Sequence, residues 1–485
     1  MKYVIIILSI VTLVSCGIQK RDYEISNPVQ VNNEFLAQEL QDSIFNHQEN
    51  LTKWWTAFGD PILDSLIERT RDNNLDIHVA IANFKASRAA LTSTKFDRWP
   101  VLTTNASYNR TRLGENVFVP GMNPTYSTYS GSIDAVWETD IFGRVSNRIK
   151  GAYAYNQVVL SEMQAVYLRI FAEVANHYIE LRGTQYLLDI AERNLKGQQD
   201  TYDLTLKLSD AGTSNSLDVS RALAQLESTR ASIPPLQARI EALKNSLSVL
   251  VGEIPGKLSD KIIDKKPLPS LPSTVELGSI QDLLRRRPDV RRAEAALQMK
   301  ISAYNIAVTD LYPKIEFGGS VGFSAVDFAN FGSKESFTWS LLPNISWAAF
   351  NLGKVKQQIK KNDAETLAAL EDYEKVVLES LEEIKTSLSN YAHELKRREI
   401  LKTSSSASLR AAEIAEKRFN AGLDNFIDYL SADNALLIAE NSLARSEISS
   451  ANALIAIYKA LGGGWEIISK EELDQQFEAI KRKEP

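Results

Sequence analysis

Ile141-Phe142-Gly143-Arg144 is answered by Asn351-Leu352-Gly353-Lys354, and the two glycines stand 210 residues apart. Asp210-Ala211-Gly212 is answered by Asn420-Ala421-Gly422 at the same offset, Leu217-Asp218 by Ile427-Asp428, and Leu250-Val251-Gly252 by Ala460-Leu461-Gly462. Farther upstream Trp99-Pro100 pairs with Tyr312-Pro313, three residues out of register, the size of a small loop difference. An offset held over so long a stretch marks a tandem duplication.

Each repeat has one grammar. A helical stretch, about Pro61 to Lys95 and Ile280 to Leu311, ends at the aromatic-proline pair, because the residue before a proline is pushed out of the helical region. Two strand-like segments follow, then a long helix, a glycine turn and a second long helix. In the second repeat Ile315, Phe317, Val321 and Phe323 alternate with Glu316, Gly318, Ser320 and Gly322. Phe337, Trp339, Leu341, Ile345 and Trp347 continue the pattern, and in the first repeat Tyr129, Ile133, Ala135 and Trp137 alternate with Ser130, Ser132 and Asp134. Such alternation suits a membrane β-barrel with one face to lipid and one to water; a soluble sandwich alternates as well. Four segments are too few to close a barrel, so a barrel needs several chains.

The helices carry heptads. Leu370, Tyr373, Val377, Leu381, Ile384, Leu388, Tyr391 and Leu395 step by threes and fours, as do Ile233, Leu236, Ile240, Leu243, Leu247 and Leu250. Leu430, Leu437, Ala444, Ala451 and Tyr458 step by sevens. Seams of this kind pack helices along their length. Gly143 to Gly212 and Gly353 to Gly422 are each 69 residues, about 100 Å of helix at ~1.5 Å per residue. Glu379, Glu382, Glu383 and Lys385 put such helices in water, not lipid. Pro234-Pro235 is expected to kink the first return helix or split it in two, and Gly212 and Gly422 are where each hairpin folds back. Lys265-Lys266-Pro267-Leu268-Pro269-Ser270-Leu271-Pro272 cannot be regular helix and separates the repeats.

The chain of 485 residues is long enough for two or three ordinary domains or one elongated one. Apolar residues make up 44% and charged residues 24%, as in folded proteins. A net charge of -6 gives no basic patch for a nucleic acid. His47, His78, His177 and His393 are dispersed, with no metal spacing. The Gly318-to-Gly322 cluster lacks the Lys-Ser/Thr that completes a phosphate loop, and no serine has a base beside it in a recognisable frame. No catalysis and no cofactor are expected.

The N-terminus has Lys2, an apolar run from Val4 to Val14, and Ser15-Cys16-Gly17. That is a secretory signal, too short to cross a ~30 Å bilayer core as helix. Leu13-Val14-Ser15-Cys16 resembles the lipobox of bacterial lipoproteins, which implies acylation of Cys16; a plain signal peptide with a chance cysteine is the alternative. Gly17, not Asp, follows the cysteine, which favours sorting to the outer membrane. Cys16 is the one cysteine, so once acylated it leaves no thiol for a disulfide.

Several motifs together resemble the TolC-like outer membrane efflux factors, nearest the lipidated partners of resistance-nodulation-division pumps. They are Trp54-Trp55 with Phe58-Gly59-Asp60-Pro61 and Leu63; Asn74-Leu75-Asp76 and Ala80; Trp137 through Arg144; Arg287-Pro288-Asp289-Val290 with Ala293-Glu294; and Ala211-Gly212 through Asp218 with Ala421-Gly422 through Asp428. The likeness covers nearly everything from Cys16 to about Glu466. It implies a mixed α and β tandem-repeat chain that gives four transmembrane β-strands to a trimeric barrel and long coiled-coil α-hairpins to a periplasmic tunnel. The expected division is a signal at 1–15, a lipidated extension at 16–60, a first repeat at 61–260 (strands about 101–113 and 125–139, hairpin about 144–251), a Pro-rich linker at 261–278, a second repeat at 279–462 (strands about 314–325 and 336–349, hairpin about 353–461) and a C-terminal segment at 463–485.

The implied function is a passive outer-membrane exit duct of a tripartite efflux pump, with a periplasmic adaptor, an inner-membrane pump, the outer-membrane lipid and two further copies of itself as partners. A lipid-anchored coiled-coil scaffold without a pore is the competing reading, and it gives no reason for four amphipathic strands. The resemblance places a periplasmic gate at Asp428 with Ile427 and Ser431, where Ser431 replaces a second family carboxylate and Asp433 faces elsewhere. Three copies of Asp428 around an axis would repel one another and draw cations; a solvated charge at a helix N-terminus is the plain alternative. Gly212, Gly422 and Asp218 mark the tips that receive the adaptor. Trp54-Trp55 reads as packing, and Asp289 as a helix-start carboxylate.

Overall fold

The structure, a computed structural model, describes residues 45–46, 52–114, 116, 123–212, 215–258, 266–277, 284–466 and 473. The signal segment, Cys16, and Thr213 and Ser214 of the first tip lie outside them. The chain divides into two compact units: one holds Phe84–Val159 and Arg292–Glu374 with Met1–Pro28, the other Val29–Asn83, Leu160–Arg291 and Lys375–Pro485.

In chain order the elements are β1 (Phe45–Asn46), a 3-10 turn at Trp54–Phe58, α1 (Pro61–Asn73), α2 (Leu75–Lys95), β2 (Val101–Arg112), β3 (Thr125–Glu138), α3 (Arg144–Asp210), α4 (Ser216–Leu250), β4 (Val275–Glu276), α5 (Pro288–Thr309), β5 (Lys314–Ala325), β6 (Phe337–Ser346), α6 (Leu352–Asn420) and α7 (Phe426–Ala460).

The first unit carries a four-stranded antiparallel sheet in the order β2-β3-β5-β6. Its register sorts the side chains by face, since neighbours across a ladder share a side. Ile133 lies opposite Val321, which lies opposite Trp339; Trp137 lies opposite Phe317. Leu102, Tyr108, Phe323, Leu341 and Ile345 share that apolar face by parity. On the other face Asp134 lies opposite Ser320, and Ser320 opposite Ser340. Val101, Val136 and Leu342 are its apolar exceptions.

Helix ends are tied to this sheet in the same way in both repeats. Trp137 Nε1 donates to the carbonyl of Arg98, and Trp347 Nε1 to that of Leu311, each at 3.0 Å. These carbonyls sit where a helix has run out of intrahelical donors.

The second unit holds much of the helical packing. Val377, Leu381, Ile384, Leu388 and Tyr391 form a buried line along α6, and Ala444, Ala451 and Tyr458 along α7. At Gly183 an added Cβ would lie 2.2 Å from Ile448 Cγ1, so glycine is what lets α3 take the Ile448 side chain of α7. Trp54 stacks on Tyr458 with centroids 5.3 Å apart, and Trp55 meets Phe171 edge-on; both tryptophans are buried packing residues.

Three features depart from expectation. The stretch from Pro61 to Lys95 is two helices, because Asn74 takes extended backbone (φ -67°, ψ 129°) and its side chain is occupied elsewhere. Its Oδ1 accepts from the Ile77 N–H at 3.1 Å and its Nδ2 donates to the Leu250 carbonyl at 2.8 Å. Conversely, of the expected kink or split at the prolines the split does not occur: α4 continues through Pro234 and Pro235. The prolines remove the donors for the carbonyls of Arg230 and Ala231, but those residues are exposed, so water takes the carbonyls. Ala222, Leu226, Ile240, Leu243 and Leu247 are buried on either side of the two prolines and pack the helix along its length. Third, β1 pairs in parallel with β4, Phe45 opposite Val275, a contact with no signal in the sequence.

Candidate functional site

The polar sheet face and the two hairpin tips carry the residues singled out above. On the sheet, Asn105 donates to Asp134 at 2.5 Å, and Ser107–Ser130 and Ser320–Ser340 make hydroxyl pairs at 2.7 and 2.8 Å. The face is hydrogen-bonded across the β2–β3 and β5–β6 boundaries. At its helix-proximal end Arg144 pairs with Glu138 and Asp310, and Lys314 bridges Glu138 and Glu316.

At the second tip α6 ends on Ala421-Gly422. Gly422 has φ 70°, left-handed backbone that costs a residue with Cβ, and Leu423 N–H closes the turn on the Arg418 carbonyl at 2.9 Å. Arg418 grips Asp424 with two bonds of 2.6 and 2.8 Å, which holds that carboxyl below the usual carboxylate range. Asn425 caps α7 by accepting from the Asp428 N–H at 2.9 Å. The first tip repeats the cap: Gly212 has φ 72°, and Asn215 accepts from the Asp218 N–H at 2.9 Å. Here the carboxylates differ. Asp218 pairs with Arg221 at 3.6 Å.

Ile427, Asp428 and Ser431 are all exposed in the chain, and their spacing of one and four places them on one side of α7. The opposite side faces α3 and α6. Phe426 packs with Phe419, and Tyr429 stacks on Phe419 with centroids 5.5 Å apart. Tyr429 and Thr201 hydroxyls meet at 3.0 Å, and Gln198 donates to Asp433 at 3.3 Å. Asp433 therefore points away from Asp428. Burial, with Glu416 and Glu440 nearby, pushes its carboxyl above the usual range, and the Gln198 bond opposes that shift. Gln198 and Thr201 were invisible as partners in the sequence, because they lie more than 220 residues from the side chains they meet. Under this layer a cavity is lined by Asp200, Leu409, Glu413, Glu416, Tyr429 and Asp433, among others.

Among the described residues no group of three or more His, Cys, Asp or Glu is arranged to hold a metal, and no helix is long and apolar enough to cross a membrane. The second statement leaves the strands untouched.

Comparison with known proteins follows the same outline. The profile of the family described as outer membrane efflux protein matches residues 66–253 and again 279–463, one match per repeat. The probable efflux pump outer membrane protein TtgC of Pseudomonas putida is 29% identical over 421 residues, covering 85% of either chain. Nodulation protein T of Rhizobium leguminosarum bv. trifolii is 25% identical over 429 residues, covering 88% of this chain and 91% of its own. The solved structure of the outer-membrane channel OprN superposes with a TM-score of 0.87 at 33% identity, over 93% of this chain and all of that one.

Proposed function

The chain belongs to the outer membrane efflux protein family, and from that premise we infer that three copies complete one duct. It is the outer-membrane channel component of an efflux pump, and its transport is passive: a hollow, hydrated path supplies a route, and the energy comes from the pump. For this chain we assign a periplasmic adaptor and an inner-membrane pump of the resistance-nodulation-division type as partners. Acylation of Cys16 adds a lipid anchor to the insertion of the strands.

The observation that carries the reading is the register of the sheet. Four strands with an apolar face, a polar hydrogen-bonded face and two open edges, β2 and β6, are unstable alone in water. Pairing of β6 with β2 of the next copy removes the edges, puts the apolar face in lipid and encloses the polar face. The gate reading rests on Ile427, Asp428 and Ser431 sharing an exposed side of α7, so that three copies would line the axis. The docking reading rests on the tips Gly212, Gly422 and Asp218. Adaptor binding there acts as a population shift between closed and splayed helices.

Purified full-length protein in planar bilayers should conduct, and Asp428→Ala should lower cation selectivity. Conductance with unchanged selectivity would leave Asp428 a surface charge. Gly422→Val should abolish drug resistance while leaving membrane insertion intact. A compact monomer without a channel would end the duct reading altogether.

A further inference from the structure

The connection from β5 to β6 does not stand clear of the sheet. Within it Phe328 and Phe331 stack with centroids 6.3 Å apart, and both rings lie on the apolar face. Phe331 fills the space above Gly131, where an added Cβ would sit 3.0 Å from its Cζ, and meets Phe323 edge-on at 6.1 Å. Phe328 meets Tyr129 at 5.3 Å, Tyr129 meets Tyr108 at 4.9 Å, and Phe323 meets Phe337 at 5.9 Å. Six rings thus make one patch at the strand ends remote from the helices. Phe328 is 67% exposed and Tyr108 57%, so the patch presents its rings outward.

Two arginines stand beyond it on the same face. Arg110 lies opposite Ser127 and Arg112 opposite Thr125, one and two rungs past the Tyr108–Tyr129 pair, each rung being about 7 Å along the strand. Both are exposed, and neither has an ion-pair partner among the described residues. A cation on an outward barrel face is costly near the bilayer midplane and tolerated near the interface. Aromatic rings collect at that interface. Rings followed by guanidinium groups therefore match acyl chains followed by phosphate, because Arg binds phosphate oxygens with two parallel N–H bonds.

We propose that Arg110 and Arg112, above the ring patch of Tyr108, Tyr129, Phe328 and Phe331, form a site for an outer-leaflet lipid whose headgroup is net anionic through phosphate monoesters, as that of zwitterionic phosphatidylethanolamine is not. The inference rests on the channel reading, since it requires this face to be in the membrane. Phe328 and Phe331 would lie along the upper acyl chain, and the connection that bears them would be an element of lipid contact.

The test uses the full-length protein in detergent, offered equal amounts of lipid A and phosphatidylethanolamine, with bound lipids counted by native mass spectrometry. Wild type should retain lipid A over phosphatidylethanolamine by roughly five- to thirtyfold, the scale set by one or two arginines near an anionic lipid surface. Arg110→Ala/Arg112→Ala should lose that preference while retaining bilayer conductance, and Phe328→Ala/Phe331→Ala should lower retention of both lipids. Inorganic phosphate should leave the count unchanged; displacement by it would assign the site to a free anion and overturn the lipid. Equal retention of the two lipids by wild type, or an intact preference in the double arginine variant, would overturn the proposal while conductance keeps the channel. Absence of conductance in wild type would take down the channel reading and this site with it.

Discussion

The carbonyl oxygen of Ala460, in the last turn of α7, accepts a 2.6 Å hydrogen bond from the buried guanidinium of Arg287. The first repeat has its counterpart: Asn74, 213 residues before Arg287, donates to Leu250, 210 residues before Ala460. In each repeat the residue ahead of the short helix supplies the donor that the end of the returning helix lacks. The glycines after those ends, Gly252 and Gly462, have φ 74° and 72° and approach Asn73 and Arg287. Both repeats have the joint, with an amide as its donor in the first and a cation in the second.

Arg287 also binds Asp289 through two bonds, at 3.0 and 2.7 Å, and Glu383 at 2.6 Å. Arg287→Ala takes the guanidinium from two carboxylates and one carbonyl, although Glu383 keeps Lys459 at 3.6 Å and Asp289 keeps the Val290 N–H at 3.0 Å. Removing one partner of a fully buried pair costs about 3–5 kcal/mol. Asp289 and Glu383 are 41% and 37% exposed, which discounts the loss to about 2–3 kcal/mol. The expected result is a lower midpoint in urea, with Arg287→Lys recovering only part because an ammonium cannot form the paired bonds. A midpoint within error of wild type would refute this account.

Asn74 performs two tasks, and two substitutions separate them. Asn74→Asp keeps the acceptor for the Ile77 N–H and loses the donor to Leu250; Asn74→Ala loses both. A lost cap costs about 0.5–2 kcal/mol and an orphaned buried carbonyl about 1–3 kcal/mol. Ionised, the aspartate of Asn74→Asp would set a buried carboxylate oxygen against the Leu250 carbonyl. Thermal unfolding at pH 7 should therefore rank wild type above both variants, and Asn74→Asp should recover part of its loss as the pH is lowered.

Tyr391 lies in the α6 seam fully buried, and its hydroxyl has no hydrogen-bond partner among the described residues. Burial pushes the phenol up to about 12, so it stays neutral at working pH. Removing an unsatisfied hydroxyl while keeping the ring relieves a desolvation penalty. Tyr391→Phe should leave stability unchanged or raise it by up to about 1 kcal/mol. Destabilisation beyond that, in a denaturant titration, would reveal a partner from water or from a neighbouring copy.

The two periodicities of the sequence are locally encoded, which is why they could be read. A strand face is declared every two residues by Ile315, Phe317, Val321 and Phe323, and a helix seam every three or four by Tyr373, Val377, Leu381 and Ile384. What escaped is set by distant partners. Asn74 looks like any polar residue on a helix until Leu250 is beside it. Pro234-Pro235 looks like a break, yet α4 runs through it with buried residues on either side. Ile427, Asp428 and Ser431 are grouped in the sequence only by the family resemblance, and the Gln198–Asp433 and Thr201–Tyr429 contacts depend on how α3 meets α7.

Those contacts carry a pH dependence whose sign can be worked out. Asp433 has its carboxyl raised above 3.8, first by burial and then by Glu416 and Glu440, with the Gln198 amide pulling the other way. A carboxyl raised in the packed state binds its proton more tightly there than when exposed. Packing of α7 on α3 is therefore strongest below the exposed value, weakens as pH rises through the interval up to the raised value, and is constant above it. Acidification should thus tighten the tip, and Asp433→Asn should hold it in the tightened state at every pH while retaining a side-chain oxygen for Gln198. Hydrogen exchange at 198–204 and 429–436, corrected for the intrinsic dependence of exchange on pH, provides the measurement. Wild type should gain protection as pH falls from 7 toward 4, and Asp433→Asn should be flat and at the acid level. Protection that instead rises with pH would mean that Gln198 stabilises the carboxylate by more than burial and its acidic neighbours oppose it.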